Sequence, residues 1–165
     1  MSYAIVYSCR TGNTRQLAQA VRDALPPEDC LYFGEPCAEA LAADRLYIGF
    51  WTDKGGPDPQ ASAFLRQLTC QQVFLFGTAG FGGQDSYYEK ILKRVRRALP
   101  AGVTVLGSFM CQGKMPLAVR QRYEKLSRCP LPIPRMKAML DNFDRALSHP
   151  DQQDLENLTR AVQSR

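Results

Sequence analysis

The chain holds one histidine, His149, and one tryptophan, Trp51, in 165 residues. A single imidazole excludes His-pair metal sites and His-based proton relays. The six cysteines, Cys9, Cys30, Cys37, Cys70, Cys111 and Cys129, contain no C-x-x-C pair. Neither a zinc framework nor a dithiol redox motif fits that spacing, so no metal is expected. Scattered thiols are instead the pattern of reduced, mostly buried small hydrophobes. No run of 18 apolar residues is present, so no spanning helix and no membrane partner are expected. The start, Met1 to Tyr7, has neither the basic opening nor the cleavage site of a secretion signal, and the expected location is cytoplasmic. Also missing are G-x-x-x-x-G-K-[ST], the dinucleotide glycine fingerprint, G-x-S-x-G and H-E-x-x-H. No protein-borne catalytic constellation is left, so chemistry here would fall to a bound cofactor. The excess of 21 basic over 16 acidic residues, net +5, is too small to demand nucleic acid. It suits an anionic ligand or an acidic partner.

What is present reads as one α/β domain over residues 1–165, with 45% apolar and 22% charged residues. Strand-forming runs at 3–8, 30–33, 45–51, 72–77 and 103–110 alternate with helical stripes at 13–25, 59–68 and 85–99. A short helix is expected at 37–43. Pro26-Pro27 closes the first long helix. Alternation of this kind implies right-handed crossovers and a doubly wound, five-stranded parallel sheet with helices on both faces. The expected core is 3–109. Residues 110–165 form a helical tail, with stripes at 117–126, 134–147 and 151–162, and the last two helices are expected to pack against the sheet. Pro130, Pro132 and Pro134 force a turn or an extended stretch between the first two. Met136 and Met139 belong to a core stripe.

The strongest motif is the turn after the first strand, Ser8-Cys9-Arg10-Thr11-Gly12-Asn13-Thr14. It opens a helix at the carboxyl edge of the sheet, where unpaired N–H groups and the positive dipole end favour a phosphate. Thr11, Asn13 and Thr14 add donors, and Gly12 permits close backbone approach. The plain alternative is an N-cap cluster on an ordinary helix. Residues 5–18, I-V-Y-S-C-R-T-G-N-T-R-Q-L-A, resemble the FMN-phosphate signature of flavodoxins, and the element order extends that resemblance over residues 3–109. It implies strand order 2-1-3-4-5, FMN as cofactor and Ser8 to Thr14 as its phosphate loop. The family usually carries hydroxyl residues where Cys9 and Arg10 stand. A thiol is a weak donor, and Arg10 can supply a charge-assisted bond in its place.

Two further loops open on the same edge. The third strand ends in Phe50-Trp51-Thr52-Asp53-Lys54-Gly55-Gly56, all read as cofactor contacts, with Trp51 a wall for a flat ring. The resemblance implies that Gly55 or Gly56 turns its peptide toward the reduced ring. The fourth strand ends in Gly77-Thr78-Ala79-Gly80-Phe81-Gly82-Gly83. Thr78 to Gly82 are read as contacts, with Phe81 the second wall and Tyr87 and Tyr88 competing for that role. Cys111-Gln112-Gly113-Lys114 is a fourth segment at this edge. There Gln112 is a donor to a ring carbonyl and Lys114 a cation near the ring.

Flavodoxins are typically acidic, and this chain is basic, which favours a more acidic partner. The implied activity is electron transfer through bound FMN to a partner reductase. The G-F-W-T-D-K-G-G and C-Q-G-K segments resemble a small anaerobe subgroup, some of whose members accompany reductases, including tetrapyrrole (bilirubin) reductases. Two alternatives stay open. One is an NAD(P)H-dependent flavin or quinone reductase, the other an accessory binding subunit that has lost FMN.

Overall fold

In the computed structural model, residues 1–69, 71–130 and 133–165 are described. Cys70 and Pro132, singled out from the sequence, lie outside them. The strands are β1 (Tyr3–Tyr7), β2 (Cys30–Gly34), β3 (Arg45–Asp53), β4 (Gly56–Pro57), β5 (Gln72–Ala79) and β6 (Thr104–Gln112). Five of them form a parallel sheet in the order β2-β1-β3-β5-β6. The sixth, β4, is a two-residue antiparallel return on β3. With β4 set aside, the order is the 2-1-3-4-5 that the resemblance implied. The extra strand escapes a pattern search because two residues carry no alternation.

The helices are α1 (Asn13–Asp23), α2 (Pro59–Leu65), α3 (Asp85–Arg97), α4 (Leu117–Ser127), α5 (Met136–Ala146) and α6 (Gln152–Gln163). The helix expected at 37–43 is a 3₁₀ turn over Ala38–Ala42, and a second short turn spans Pro27–Asp29. Alternate residues of each strand feed opposite faces of the sheet. On one face Tyr3, Ile5, Tyr47, Phe74 and Phe76 pack against Leu17, Ala18 and Val21 of α1 and Leu158 and Val162 of α6. On the other, Ala4, Val6, Ile48, Phe50 and Leu75 pack against Phe64 and Leu65 of α2 and Ile91, Leu92 and Val95 of α3.

The last helix packs against the sheet, as expected of it, and β6 runs on to Gln112. Leu158 and Val162 are 0% and 1% exposed. α6 starts at a capping box, in which Asp151 Oδ1 accepts from the Asp154 N–H (2.9 Å) and Asp154 Oδ2 from the Asp151 N–H (3.0 Å). His149 Nδ1 lies 2.6 Å from the same Asp154 oxygen. This His149, Asp151 and Asp154 cluster is spent on starting a helix. α4 and α5 pack on one another, with Arg120 bonded to Glu124 (2.8 Å) and Asp144 and its guanidinium 5.6 Å from the Phe143 ring centroid.

Candidate functional site

The carboxyl ends of β1, β3, β5 and β6 open on one edge and enclose a cavity of about 340 Å³. Its floor is the turn after β1. Gly12 is the N-cap of α1 at φ 90, a left-handed backbone that favours glycine, and a Cβ there would meet nothing within 4 Å. Backbone conformation, not crowding, selects that glycine. α1 has no side-chain cap and no acidic residue in its first turn. Thr14 Oγ1 is fully buried without a hydrogen-bond partner among the described residues. Thr and Asn are thus not capping this helix, which removes the plain alternative. Uncapped N–H groups and an orphaned hydroxyl fit an anion with acceptor oxygens. Cys9 Sγ accepts from the Gly12 N–H (3.2 Å), so the thiol closes the turn. Ser8 is buried and donates to the Asp58 carboxylate.

Asp58 ties this floor to the β3 wall. Its Oδ2 also takes the Trp51 N–H (3.2 Å), while Oδ1 caps α2 through the Gln60 and Ala61 N–H groups (both 3.0 Å). One buried carboxylate therefore sets the Ser8 turn, the Trp51 corner and the start of α2. Above it, Trp51 lines the cavity, with the Arg10 guanidinium 5.6 Å from its ring centroid. The chain then turns through Lys54 (φ 49) and Gly55 (φ 78), the two positive-φ positions of a tight hairpin. Arg94 of α3 holds the tip from outside through the Lys54 and Gly55 carbonyls (3.1 and 3.0 Å). Thr52 Oγ1 donates to the Thr78 carbonyl (2.9 Å), joining the β3 and β5 walls.

The β5 wall is Thr78, Ala79, Gly80 and Phe81, the last 40% exposed. Met115 packs so closely on Gly80 that a Cβ there would meet it at 2.7 Å. The loop after β6 stitches the site together. Gly113 N–H donates to the Ala79 carbonyl (2.9 Å), Lys114 N–H to the His149 carbonyl (3.0 Å) and Asn13 Nδ2 to the Lys114 carbonyl (2.9 Å).

Of the residues read from the sequence, Arg10, Thr11, Asn13, Trp51, Thr52, Lys54, Gly55, Thr78, Ala79, Gly80 and Phe81 line this one cavity. Ser8, Cys9, Gly12 and Thr14 form the turn beneath it. Phe50 does not reach it. Side chains alternate along β3, and Phe50 points into the opposite core at 0% exposure. Asp53 and Gly56 pair across the hairpin behind the tip. Gly82 and Gln112 line a different cavity behind the Phe81 loop, with Cys111 and His149. Gln112 donates to the Gly80 carbonyl (3.0 Å) and so braces that loop from behind. Tyr87, Gly113, Lys114, Met115 and Pro116 complete the lining.

Asp58, Arg94 and Asn142 were not read as site residues. Asp58-Pro59 carries the cap-then-proline signature of a helix start, and that signal could have located it. Asn142 is a polar residue within the apolar stripe of α5, a buried amide that must find partners.

The cavity lining contains three cations, Arg10, Lys54 and Lys114, and no carboxylate. None of the three is in an ion pair among the described residues. Burial raises the Tyr87 phenol above its ordinary value, partly offset by Arg94. Cys111 is pushed up strongly, first by burial and then by the negative charges of Asp154 and Asp151. Its thiol stays neutral at physiological pH, which excludes it as a nucleophile.

A doubly wound sheet with its cavity at the carboxyl edge, floored by an uncapped helix N-terminus, defines an α/β domain of the open-sheet class, in which ligands bind at that edge. The flavodoxin domain model matches residues 4–163, and the chain belongs to the flavodoxin family. A flavodoxin-like domain-containing protein, BilS, from Clostridium symbiosum (strain WAL-14163) is 42% identical, covering 94% of this chain and 90% of its own length. Among solved structures, a short-chain flavodoxin associated with a PDU bacterial microcompartment has a TM-score of 0.59 at 18% identity, covering 99% of this chain and 95% of that one. A flavoprotein from Lactobacillus acidophilus NCFM in complex with FMN has a TM-score of 0.52 at 13% identity, covering 66% and 92%. Among the described residues no helix is long and apolar enough to cross a membrane.

Proposed function

We propose that this chain binds FMN non-covalently at the sheet edge and carries electrons to a partner reductase. The observation that carries the reading is the uncapped α1 N-terminus with the Thr14 hydroxyl buried and unpartnered beneath the cavity. In this reading the first-turn N–H groups, Thr14 Oγ1 and Arg10 hold the phosphate. Trp51 and Phe81 flank the ring. The bound cofactor supplies the electron storage, and the chain orients it and sets its surroundings. Lys54 and Lys114 at the mouth favour negative charge on the reduced ring. The FMN complex of the Lactobacillus flavoprotein supports the assignment at the level of fold.

The partner surface that docks over this mouth is acidic, because the cations there have no carboxylate neighbours in the lining. The resemblance to the small anaerobe subgroup favours a tetrapyrrole reductase as that partner.

Titration of cofactor-free protein with FMN tests the reading. Trp51 is the sole tryptophan, so its fluorescence reports this site alone. Expected are one FMN per chain, quenching of that fluorescence and a shifted flavin spectrum. Failure to take up FMN at micromolar concentration overturns the reading. Steady oxidation of NAD(P)H by the loaded protein alone would place it with the flavin or quinone reductases instead.

A further inference from the structure

We propose that Asn142, on α5, is a positioning residue that sets which backbone group the Phe81 loop presents to the cavity. What that group meets rests on the FMN reading; the backbone geometry does not. The Gly80 carbonyl accepts two N–H bonds from behind the loop, from Gln112 Nε2 and Asn142 Nδ2, both at 3.0 Å. Asn142 Oδ1 accepts from Gln112 Nε2, also at 3.0 Å, so the two amides hold one another. Asn142 is 4% exposed and Gln112 9%. Neither lines the cavity, whereas Gly80 and Phe81 do.

A trans peptide points its C=O and N–H in opposite directions. The Gly80–Phe81 peptide is trans, since the cis bond among the described residues is His149-Pro150. Its carbonyl is drawn back toward β6 and α5, so the Phe81 N–H is turned to the cavity side. No described residue accepts from that N–H. A fixed donor there, above a mouth with cations and no carboxylate, suits an electron-rich ring edge. It strengthens as negative charge builds on that edge. α5 thereby reaches into the electronics of the site without touching the ligand.

The test compares Asn142→Ala with the unaltered protein in three readouts. These are the Phe81 amide by NMR in cofactor-free protein, affinity for FMN and for riboflavin, and the reduction potential of bound FMN. Expected are a shifted Phe81 amide, a loss of about fivefold for FMN and riboflavin alike, and a more negative potential. Asn142→Asp adds a sign. Its carboxylate repels the Gly80 carbonyl at neutral pH, and its protonated form can donate to it, so flavin affinity recovers as pH falls. Gln112→Ala removes the other donor and gives the same effects should Asn142→Ala fail to fold. Unaltered riboflavin affinity and potential overturn the proposal, as does a loss confined to FMN, which would place the effect at the phosphate end. If the unaltered protein binds no flavin, the FMN reading fails by itself. The Phe81 amide then decides the backbone proposal, and an unmoved resonance in Asn142→Ala overturns it.

Discussion

Thr14 shows how a single atom can separate structure from function. Its hydroxyl is buried and bonded to nothing described in the protein, which ordinarily costs about 1–3 kcal/mol. Thr14→Val keeps the shape and removes the orphan. Thermal unfolding is expected to stay the same or rise by a few degrees, while FMN affinity falls about tenfold and riboflavin affinity holds. A variant that binds FMN as well as the parent takes Thr14 out of the phosphate site. Asp58 is the converse case, a buried carboxylate whose four bonds each have a structural use. Asp58→Ala strands the Ser8 hydroxyl and the Trp51 N–H and uncaps α2. It is expected to cost roughly 3 kcal/mol, lowering the melting temperature by roughly 10 °C.

The thiols divide by environment. Cys129 is exposed and Cys111 buried with its ionisation pushed up from 9.0. At pH 8 a maleimide or iodoacetamide should label Cys129 well before Cys111, with peptide mapping as the readout. The same shift fixes the sign of a pH effect on stability. Above about pH 9 the unfolded chain releases the Cys111 proton and the folded one keeps it, so the native state binds more protons there. Stability present at neutral pH is therefore lost as pH rises past that point. Cys111→Ala should flatten the fall in the denaturant midpoint. An unchanged slope would show that the fall comes from other groups.

At the scale of elements, the legible features are those that repeat. Runs of apolar β-formers placed every parallel strand, and the 3.6-residue stripes placed the long helices, because burial on one or both faces imposes those periods. The turn after β1, which floors the cavity, was legible as well, since Gly12 and its hydroxyl neighbours sit in one contiguous segment. Features made by residues distant in sequence were not. Asn142 reaches Gly80 across 62 positions, and Arg94 reaches the Lys54–Gly55 tip across about 40. Only the folded chain brings them together. Phe50 illustrates a smaller error of the same origin. The segment Phe50 to Gly56 lies at the site, but strand alternation sends neighbouring side chains to opposite faces. α6 was legible both as a helix and as one that packs against the sheet, because a one-sided apolar stripe needs a surface to cover it. Leu158→Ala should therefore behave as a core truncation, costing roughly 3 kcal/mol in chemical denaturation. A loss below about 0.5 kcal/mol would make α6 peripheral after all.

At the scale of the whole molecule the question is whether the net +5 matters as a total or through where it sits. A uniformly spread charge steers an anion weakly toward every face. Arg10, Lys54 and Lys114 at one mouth concentrate the field where electrons would leave. The FMN-loaded, reduced protein can be oxidised by small outer-sphere reagents of opposite charge, ferricyanide and hexaamminecobalt(III). The rate with ferricyanide should fall as salt is added and the rate with the cobalt cation should rise. Two double reversals separate place from total. Lys54→Glu with Lys114→Glu, and Lys137→Glu with Arg160→Glu, each take the net charge from +5 to +1. Arg10 is left in place because the proposed FMN reading assigns it to the phosphate. The first pair lies at the mouth, and the second on the exposed faces of α5 and α6. If the mouth governs docking, the first pair reverses both salt dependences and the second leaves their signs intact. Equal effects from the two pairs would assign the steering to net charge alone, and the acidic-partner reading would lose its structural basis.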